Sequence, residues 1–522
     1  MSENTSSLFR GERNDRAEIV IGLVGAMGTD MERMTQELHA ALLGVAYRVD
    51  TVRVSSLIND FFEVQGVEIP ESETNLDALM DLGDALRLGL GHGGAAAALA
   101  VGWISRQRHA DGAGVEREAF ASIVRQLKHP AEVELLRSIY GPRFVLVGVW
   151  SPEEEREADV DRRLREHHPG QQDDWYARHV KRLLIRDEKD TSEPLGQRVR
   201  DTYELADAFI ALPPGRQSAG EAVRLVNLLF GSPYETPTRA EQAMYMAAGA
   251  SLRSSDAGRQ VGAVVIDGDG EVVVTGTNEI PKPGGGQYWV GDDPDFRDFM
   301  IGYDENARQK LAIITDLITS LQAQEWLDPA KSGRPEELAR DALAPGGPLA
   351  KNRVGDLLEF ARVAHAEMAA ICTAARRGTA IGGLEMYTTT YPCHECARLI
   401  IAAGIARLVY VDPYPKSQVR AMFRHEVSEA GEGGPGVPFE SYRGIAPRLY
   451  RSVFTMTGRE RRPVTGEYES WNPETSLPRL VAASQILNPI VETESGLIEP
   501  VFAEMGQVQW AEAISKVRLT AR

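Results

Sequence analysis

Three cysteines in 522 residues constrain this chain more than any other feature of its sequence. Two of them, Cys393 and Cys396, form a C-x-x-C pair, and His365-Ala366-Glu367 lies upstream of it. Three cysteines scattered at random would produce such a pair only about one time in a hundred, so the spacing indicates a metal site.

The metal is predicted to be zinc. His365, Cys393 and Cys396 offer one nitrogen and two thiolates, which is the ligand number of a catalytic site that keeps its fourth tetrahedral position for water. Residues at i and i+3 share a helical face, so the two cysteines can reach one ion from the first turn of a helix. The helix start also favours thiolate over thiol. Zinc lowers the pKa of a bound water from near 16 toward about 7.

Glu367 is the predicted catalytic residue. Deamination of a base requires a group that takes a proton from water and then protonates N3 and the departing amine, and one carboxylate can do both. The combination H-x-E with P-C-x-x-C, with the glutamate unligated, is typical of zinc nucleobase deaminases. A structural zinc site is the alternative, but such sites normally close with a fourth ligand. His394 points off the shared face, and Cys372 is expected to be a small buried residue.

Charge and composition restrict the kinds of partner that this protein can bind. The formal net charge is −19, and from Thr236 onward 30 Lys and Arg face 37 Asp and Glu, leaving that half near −7. An acidic surface disfavours a large duplex or tRNA footprint but is compatible with one small anion in a local basic pocket. Few cysteines indicate a reducing compartment, and we find neither a signal peptide nor an apolar run long enough for a bilayer. We therefore expect a cytoplasmic protein without membrane contact.

The length allows roughly two to four domains. Alternating strand and helix patterns predict an α/β protein, with a parallel sheet in its first domain. The predicted division, in chain order, is a disordered tail at 1–16, a first α/β domain at 17–231, a linker at 232–237, a second α/β domain at 238–462 with an insertion at about 282–350, and an irregular extension at 463–522 to which we assign no role.

The first domain opens with a strand at 18–25, a glycine-rich turn and a helix at 31–43. A working phosphate loop reads G-x-x-x-x-G-K-[ST] after a strand. In an alignment that starts at Gly25, this chain has Asp30, Met31 and Glu32 where the second glycine, the lysine and the hydroxyl should stand. The missing cation disfavours phosphoryl transfer.

Two interpretations of this degenerate loop stay open. Its glycines and helix start offer N–H donors, so it could sense a nucleotide without hydrolysing it, with Gly22, Gly25 and Gly28 as the candidate nucleotide-binding residues. The alternative is a scaffold retained for assembly or partner contact.

From about Thr236 to Tyr450 the chain resembles the deoxycytidylate deaminase branch of the cytidine deaminase-like superfamily. The matching segments are D-A-G-R-Q-V-G-A-V at 256–264, G-T-N-E-I-P at 276–281, H-A-E at 365–367 and P-C-H-E-C at 392–396. The resemblance implies an α/β/α fold in which both zinc motifs stand at helix starts. It also implies that His365, Cys393 and Cys396 bind zinc and that Glu367 shuttles protons.

The same resemblance implies substrate contacts. Asn278 would hydrogen-bond the sugar, and the backbone at Ala366 would contact the base; a plain turn residue is the alternative for Asn278. Arg259 and Lys282 are candidates for binding substrate phosphates, with ordinary surface charge as the alternative.

The whole chain is similar to the two-domain bacterial anti-phage deoxycytidine nucleotide deaminases, which join a P-loop-kinase-like domain to a deoxycytidylate deaminase-like domain. The supporting segments lie at 22–30, 127–137, 186–188, 196–202 and 281–286. The resemblance implies conversion of dCTP or dCMP to the uracil form, which depletes dCTP during phage infection. It further implies a homo-oligomer that is restrained by a regulatory nucleotide, an RNA or a protein.

Two other functions remain as alternatives. The base could sit in nucleic acid, as it does for tRNA adenosine deaminases, but extruding a base requires a grip on the flanking backbone that an acidic half-chain supplies poorly. The chain could also be a regulatory nucleotide-binding protein whose zinc is structural.

Overall fold

A computed structural model describes most of the chain. The described residues are 16–67, 73–110, 117–190, 195–212, 218–328, 333–344, 346–349, 352, 354, 360–411, 417–429, 435–455, 465–467, 470–482, 490–510 and 513. The predicted tail at 1–16 therefore lies outside the described residues, apart from its last residue.

The chain divides into two compact units, one formed by Met1–Tyr245 with Val409–Arg522 and the other by Met246–Leu408. The predicted domains at 17–231 and 238–462 divide the sequence differently, because the observed first unit also includes the chain after Val409. The first unit is thus built from two separate stretches of sequence.

The first stretch of the first unit contains five strands and ten helices among its described residues. In chain order they are β1 (Ile19–Gly25), α1 (Met31–Leu43), β2 (Arg48–Arg53), α2 (Val54–Val64), α3 (Asn75–Gly89), α4 (Ala95–Ala110), β3 (Phe120–Arg125), α5 (Pro130–Tyr140), β4 (Phe144–Trp150), α6 (Glu153–His167), α7 (Asp173–Glu188), α8 (Val199–Tyr203), β5 (Ala208–Ala211), α9 (Ala219–Leu229) and α10 (Arg239–Ser251), the last of which runs across the boundary between the units.

The predicted parallel sheet is present in the first unit. β1 lies between β3 and β4 and pairs in parallel with both, β2 pairs in parallel with β3, and β5 with β4. β1 reads IVIGLVG and is buried along its whole length, as expected of a central strand covered on both faces. β2 has one buried residue, Val52, and its other residues are partly or largely exposed, as expected of an edge strand.

The predicted opening of this unit is also close to the observed one. β1 starts one residue later than predicted, and α1 has the predicted limits. Asp30 caps α1 by accepting a hydrogen bond from the Arg33 backbone N–H. A residue that would interrupt a working phosphate loop therefore stabilises the helix start instead.

The second stretch returns to the same unit. Its elements are α16 (Ser417–Met422), β10 (Val427–Glu429), β11 (Val437–Ser441), β12 (Gly444–Ile445), α17 (Pro447–Phe454), α18 (Arg479–Ala482) and α19 (Ile490–Met505). β12 adds an antiparallel edge strand beside β5. Ile445, Leu449 and Val453 join the hydrophobic core under β1.

The prediction of an irregular extension at 463–522 is wrong for α19, which is a helix of 16 residues. Its Glu494 is 1% exposed and accepts hydrogen bonds from Arg108 and from the Tyr140 hydroxyl, at 3.1 and 2.8 Å. The extension thus carries a charged residue that is part of the interior of the first unit.

The second unit contains β6 (Gly262–Ile266), β7 (Val272–Thr277), α11 (Asp298–Ile301), α12 (Glu305–Ala323), α13 (Pro335–Leu343), α14 (Ala366–Arg377), β8 (Glu385–Thr388) and α15 (His394–Ala402), and β9 (Arg407–Tyr410) crosses into the first unit. Strand β6 lies between β7 and β8 and is antiparallel to both. The insertion contributes the pair α12 and α13. The whole protein is a mixed α/β structure.

One glycine allows α14 to approach the sheet closely. A Cβ built on Gly276 of β7 would lie 2.1 Å from the Ala366 carbonyl oxygen and 2.6 Å from the Ala370 nitrogen. Both atoms belong to backbone, which cannot yield as a flexible side chain can. Any larger residue at this position would push the start of α14 away from β7.

No described helix is both long enough and apolar enough to span a bilayer.

Candidate metal centre

Two helix starts in the second unit bring the predicted metal ligands together. His365 immediately precedes α14, Cys393 immediately precedes α15, and Cys396 lies in the first turn of α15. The predicted helix starts at His365 and Cys393 are thus each one residue early. Both residues occupy cap positions from which their side chains can turn toward the helix N-terminus.

The distances within this group suit a tetrahedral metal. The His365 Nδ1 atom lies 3.3 Å from the Cys393 Sγ atom and 3.3 Å from the Cys396 Sγ atom. The three ligand atoms all lie within 4.8 Å of one another. Zinc–sulfur bonds near 2.3 Å and zinc–nitrogen bonds near 2.0 Å in tetrahedral geometry require nitrogen–sulfur separations of about 3.5 Å. The three residues are therefore positioned to bind a metal ion through Nδ1 and two sulfurs.

The group contains three ligands among the described residues, and neither candidate for a fourth belongs to it. His394 is outside the group. Cys372, expected to be buried, is exposed on α14. A three-ligand group matches the composition of catalytic rather than structural zinc sites.

The side chains of the group shift one another's pKa values. Hydrogen bonds from Cys396 and His365 lower the pKa of the Cys393 thiol to about 3. The same contact with Cys393, together with burial, raises the pKa of Cys396. The hydrogen bond to Cys393 also raises the pKa of His365. Metal binding requires both sulfurs as thiolates and a neutral imidazole, so it releases protons from this group.

Glu367 lies beside the ligands on the first turn of α14. Its side chain is 2% exposed, and its Oε2 atom accepts a hydrogen bond from the Cys396 thiol at 3.4 Å. Its Oε1 atom is 3.5 Å from the Thr388 hydroxyl, at the end of β8. Burial raises the pKa of the carboxyl above its ordinary value. A carboxyl with a raised pKa is a better proton acceptor, and it can pass the proton on to a neighbouring group.

Sequence reasoning missed Thr388. It is completely buried and stands at the end of the strand that leads to P-C-x-x-C. A polar residue at the carboxyl end of a strand, just before a ligand motif, is the signal that could have identified it.

The side chain of Asn278 forms hydrogen bonds with the loop before β6. Its Oδ1 atom accepts a hydrogen bond from the Val261 backbone N–H at 2.6 Å, and its Nδ2 atom donates to the Arg259 carbonyl at 2.7 Å. Asn278 is 6% exposed. Its predicted contact with a sugar stays a prediction.

The other predicted substrate contacts lie on different parts of the second unit. Ala366 is fully buried as the first residue of α14. Arg259 is exposed, and its backbone N–H donates to the Asp256 carboxylate at 3.3 Å. Lys282 forms an ion pair with Asp292 at 2.9 Å, so a phosphate at Lys282 would have to replace that partner.

The three candidate glycines belong to the first unit. Gly22 lies inside β1 between the side chains of Leu127 and Phe144, so it packs the sheet. Gly25 ends β1, and Gly28 adopts a φ of +84° in the following turn. Only the last two of these glycines stand where a ligand could approach the loop.

A zinc site with three protein ligands beside a buried carboxyl defines the class of zinc-dependent hydrolytic enzymes. Residues 237–412 match the family model described as the cytidine and deoxycytidylate deaminase zinc-binding region. The deoxycytidylate deaminase of Pongo abelii is 30% identical over 133 residues, which are 25% of this chain and 67% of that protein. Through this region the chain belongs to the cytidine and deoxycytidylate deaminase family, and its His/Cys/Cys group lies within that family's zinc-binding region.

Two further matches cover only part of the relative or only part of this chain. The deoxycytidylate deaminase of Enterobacteria phage T2 is 48% identical over 54 residues, 10% of this chain and 29% of the phage protein. The chain thus spans less than a third of that relative. The apo crystal structure of dCMP deaminase from the cyanophage S-TIM5 aligns with 40% of this chain and 99% of that chain, with 17% identity and a TM-score of 0.22.

Proposed function

We propose that this protein hydrolytically deaminates deoxycytidine nucleotides, converting dCTP, dCMP or both to the uracil form with release of ammonia. The observation that carries the proposal is the Glu367 carboxyl, buried within hydrogen-bonding distance of a metal ligand. The residues of the site can hold zinc, which supplies Lewis acidity toward water. The proposal places the reaction in the cytoplasm, where few disulfides form.

In this proposal Glu367 moves the protons. It accepts one from the attacking water and delivers it to N3 of the cytosine as oxygen bonds to C4. It then transfers the second proton of the water to the amino group, and the carbon–nitrogen bond breaks as ammonia leaves. Water is thus consumed and ammonia released without an oxidant or a reductant. The hydrogen bond from the Thr388 hydroxyl holds the carboxyl in place between these steps.

A free nucleotide is favoured over a base in nucleic acid. The two relatives described above are named deoxycytidylate deaminases, and the half of the chain that contains the site has a net charge near −7. Acidic protein surfaces repel the phosphates that flank an extruded base. One nucleotide requires far fewer cationic contacts, and Arg259 and Lys282 are the residues we assign to them.

A substrate panel tests the reaction. We expect the zinc-loaded protein to release ammonia from dCTP or dCMP, with products resolved by chromatography, and to leave cytidine-containing oligonucleotides unchanged. Glu367→Gln should lower kcat by about 10² to 10⁴ while zinc content and melting temperature stay unchanged. Glu385→Gln, at a half-buried carboxylate at the other end of β8, is the matched control and should retain activity. Turnover of oligonucleotide alone, or a fully active Glu367→Gln protein, would reject the proposal.

The phosphate contacts have their own test. Arg259→Glu should raise the KM for dCTP more than the KM for deoxycytidine, because only the nucleotide presents phosphate charge. Arg398→Glu, at a side chain that is 66% exposed, serves as the charge-reversal control. Equal effects of Arg259→Glu on both substrates would contradict a phosphate contact.

We further propose that the activity depletes dCTP during phage infection. This proposal rests on the resemblance of segments in both halves of the chain to the two-domain anti-phage deaminases. Cells that express the protein should lose dCTP after infection and yield fewer phage, and cells that express Glu367→Gln should behave like cells without the gene. Protection by the Glu367→Gln protein would show that defence, if present, does not use deamination.

A further inference from the structure

A cavity of about 400 Å³ opens in the first unit at the carboxyl ends of three parallel strands. The turn after β1, with Gly25, Gly28 and Thr29, forms one part of its lining. The start of α2 after β2 and the residues after β3 form two others. Open parallel sheets typically bind ligands at this edge, and the volume falls in the range of small-molecule sites. The proposed deamination uses none of these residues.

The cationic part of this cavity holds more positive than negative charge. Arg125 and Arg53 both contact the Glu32 carboxylate, at 2.6 and 2.7 Å, so two guanidinium groups share one carboxylate. Contact with Arg125 lowers the pKa of Glu32, as a positive local field requires. The three other cations of the lining also have carboxylate partners: Arg87 in Asp84, Lys128 in Asp187 and Arg163 in Asp159. The excess positive charge therefore lies at Arg53 and Arg125.

Three residues of the lining carry buried polar atoms that lack a hydrogen-bond partner among the described residues. They are the Thr29 hydroxyl, the Arg125 Nε and the Gln197 side-chain carbonyl oxygen. These residues are 4%, 7% and 6% exposed. Buried polar groups in native proteins are normally paired, so these three groups are donors and acceptors that a ligand in the cavity would satisfy.

The backbone beside these groups is also unusual. Gln126, which follows Arg125 and lines the same cavity, adopts a φ of +67°. A residue with a Cβ is rarely held in this conformation, and such positions cluster at ligand sites.

One side of the lining is apolar and offers a surface for a flat ring. Ile58, Leu76, Leu79 and Met80 contribute aliphatic side chains from α2 and α3. Gln197 adds an amide, the group that proteins use to read the edges of nucleobases. A cationic region, an apolar region and an amide within one cavity match a phosphate, a base and the base edge respectively.

We propose that this cavity is a second nucleotide site, in which Arg53 and Arg125 hold the phosphate and Gln197 contacts the base. The anion is held by arginine side chains rather than by the lysine of a phosphate loop, which this chain lacks. Because that lysine is missing and Glu32 stands at the start of α1, the site binds its nucleotide without phosphoryl transfer. Binding here is independent of the proposed deamination.

Calorimetric titration of the full zinc-loaded chain tests the site. Every protein in this series also carries Glu367→Gln, which prevents turnover. The titrants are ATP, dTTP, ribose 5-phosphate and inorganic phosphate. We expect ATP or dTTP to bind, and Arg125→Gln to weaken that binding at least tenfold. Arg178→Gln, on the exposed face of α7, is the matched control and should leave the affinity unchanged. Thr29→Val, nearly isosteric, should weaken binding several-fold and replaces Arg125→Gln if that variant fails to fold.

Gln197→Leu separates base recognition from phosphate binding. It should weaken ATP or dTTP and leave ribose 5-phosphate and inorganic phosphate unchanged. The affinity of dCMP for the zinc centre, measured in the same variants, should not change, and this control separates the two sites. The proposal is overturned if neither nucleotide binds, or if Arg125→Gln and Thr29→Val leave nucleotide affinity intact. Equal affinities for nucleotides and inorganic phosphate would overturn the assignment of a base to this cavity.

Discussion

His129 is a single residue whose charge state is decided by its position in the fold. Its Nδ1 atom accepts a hydrogen bond from the Ala131 backbone N–H and so caps α5. It is 6% exposed. Burial, reinforced by the charge of Arg87, lowers the pKa of His129 to about 4. The imidazole is therefore neutral in the folded protein down to moderately acidic pH.

This shift predicts a loss of stability in acid. The folded pKa lies below the unfolded value near 6.5, so between these values the unfolded chain binds more protons than the folded one. The stability from neutral His129 is complete above pH 6.5 and falls as the pH drops toward 4, by about 2 kcal/mol at pH 5. His129→Asn keeps a side chain that can cap the helix, and should remove this part of the pH dependence in urea unfolding. His109→Asn, at an exposed histidine, should retain it; an unchanged pH profile in His129→Asn would contradict the assignment.

At the residue scale, the metal ligands were predictable and their surroundings were not. One helical turn fixes how far Cys393 lies from Cys396, so the sequence spacing already contains the local geometry. The contact between Thr388 and Glu367 joins a strand to a helix, and the pair Lys282–Asp292 closes a loop of the insertion. Such contacts depend on tertiary packing, which no spacing in the sequence specifies.

At the scale of elements, α19 depends on one buried ion cluster. Arg108 is 1% exposed and contacts both Glu18 and Glu494. The Tyr140 hydroxyl donates to the same Glu494 carboxylate. Removing one partner of a buried charge pair leaves the other charge uncompensated in the interior.

Glu494→Ala should therefore lower the free energy of unfolding of the first unit by about 3 to 5 kcal/mol, and should increase proteolysis within α19. Chemical denaturation and limited proteolysis are the measurements. Glu499→Ala, at an exposed position of the same helix, should change stability by less than about 0.5 kcal/mol. Equal stabilities of the two variants would mean that the cluster does not hold the helix.

The close approach of α14 to β7 gives a prediction for the metal centre. Gly276→Ala places a methyl group against the Ala366 carbonyl and should shift His365 and Glu367 with the helix. We expect weaker zinc retention during dialysis against a chelator, and lower deaminase activity. Gly268→Ala, in a turn where an added Cβ meets nothing within 4 Å, is the control. A Gly276→Ala protein that retains zinc like the wild type would contradict the argument.

The elements best predicted from sequence were those with uninterrupted patterns. β1 is a continuous apolar run and α1 has a helical pattern, so their limits were predicted to within one residue. α19 contains Gly496 and Pro500, which obscure a helical pattern, and its stability comes from the partners of Glu494. Local sequence carried no signal of those partners, because they lie almost 400 residues away in the chain.

At the scale of the whole molecule, the first unit requires both ends of the described chain. The core under β1 includes Ile445 and Val453, and β12 completes the edge beside β5. Composition and domain-length priors favour consecutive domains, so the return of the chain after Val409 could not be predicted from them.

This organisation predicts that the halves do not fold separately. A fragment comprising residues 232–522 would expose the apolar side chains that normally join the first unit, so it should aggregate and bind a hydrophobic dye. Its co-expression with 1–231 should restore a soluble complex with the zinc content of the intact chain. A monomeric 232–522 fragment with cooperative unfolding would contradict this prediction.

The same return of the chain imposes an order on biosynthesis. β5 ends at Ala211 and its edge partner begins at Gly444. At translation speeds of 5–20 residues per second, roughly 10–50 s separate their emergence from the ribosome. During that interval the edge of a parallel sheet stays open to other nascent chains. The first unit should therefore be most prone to edge-to-edge aggregation while the metal-binding unit is still being translated.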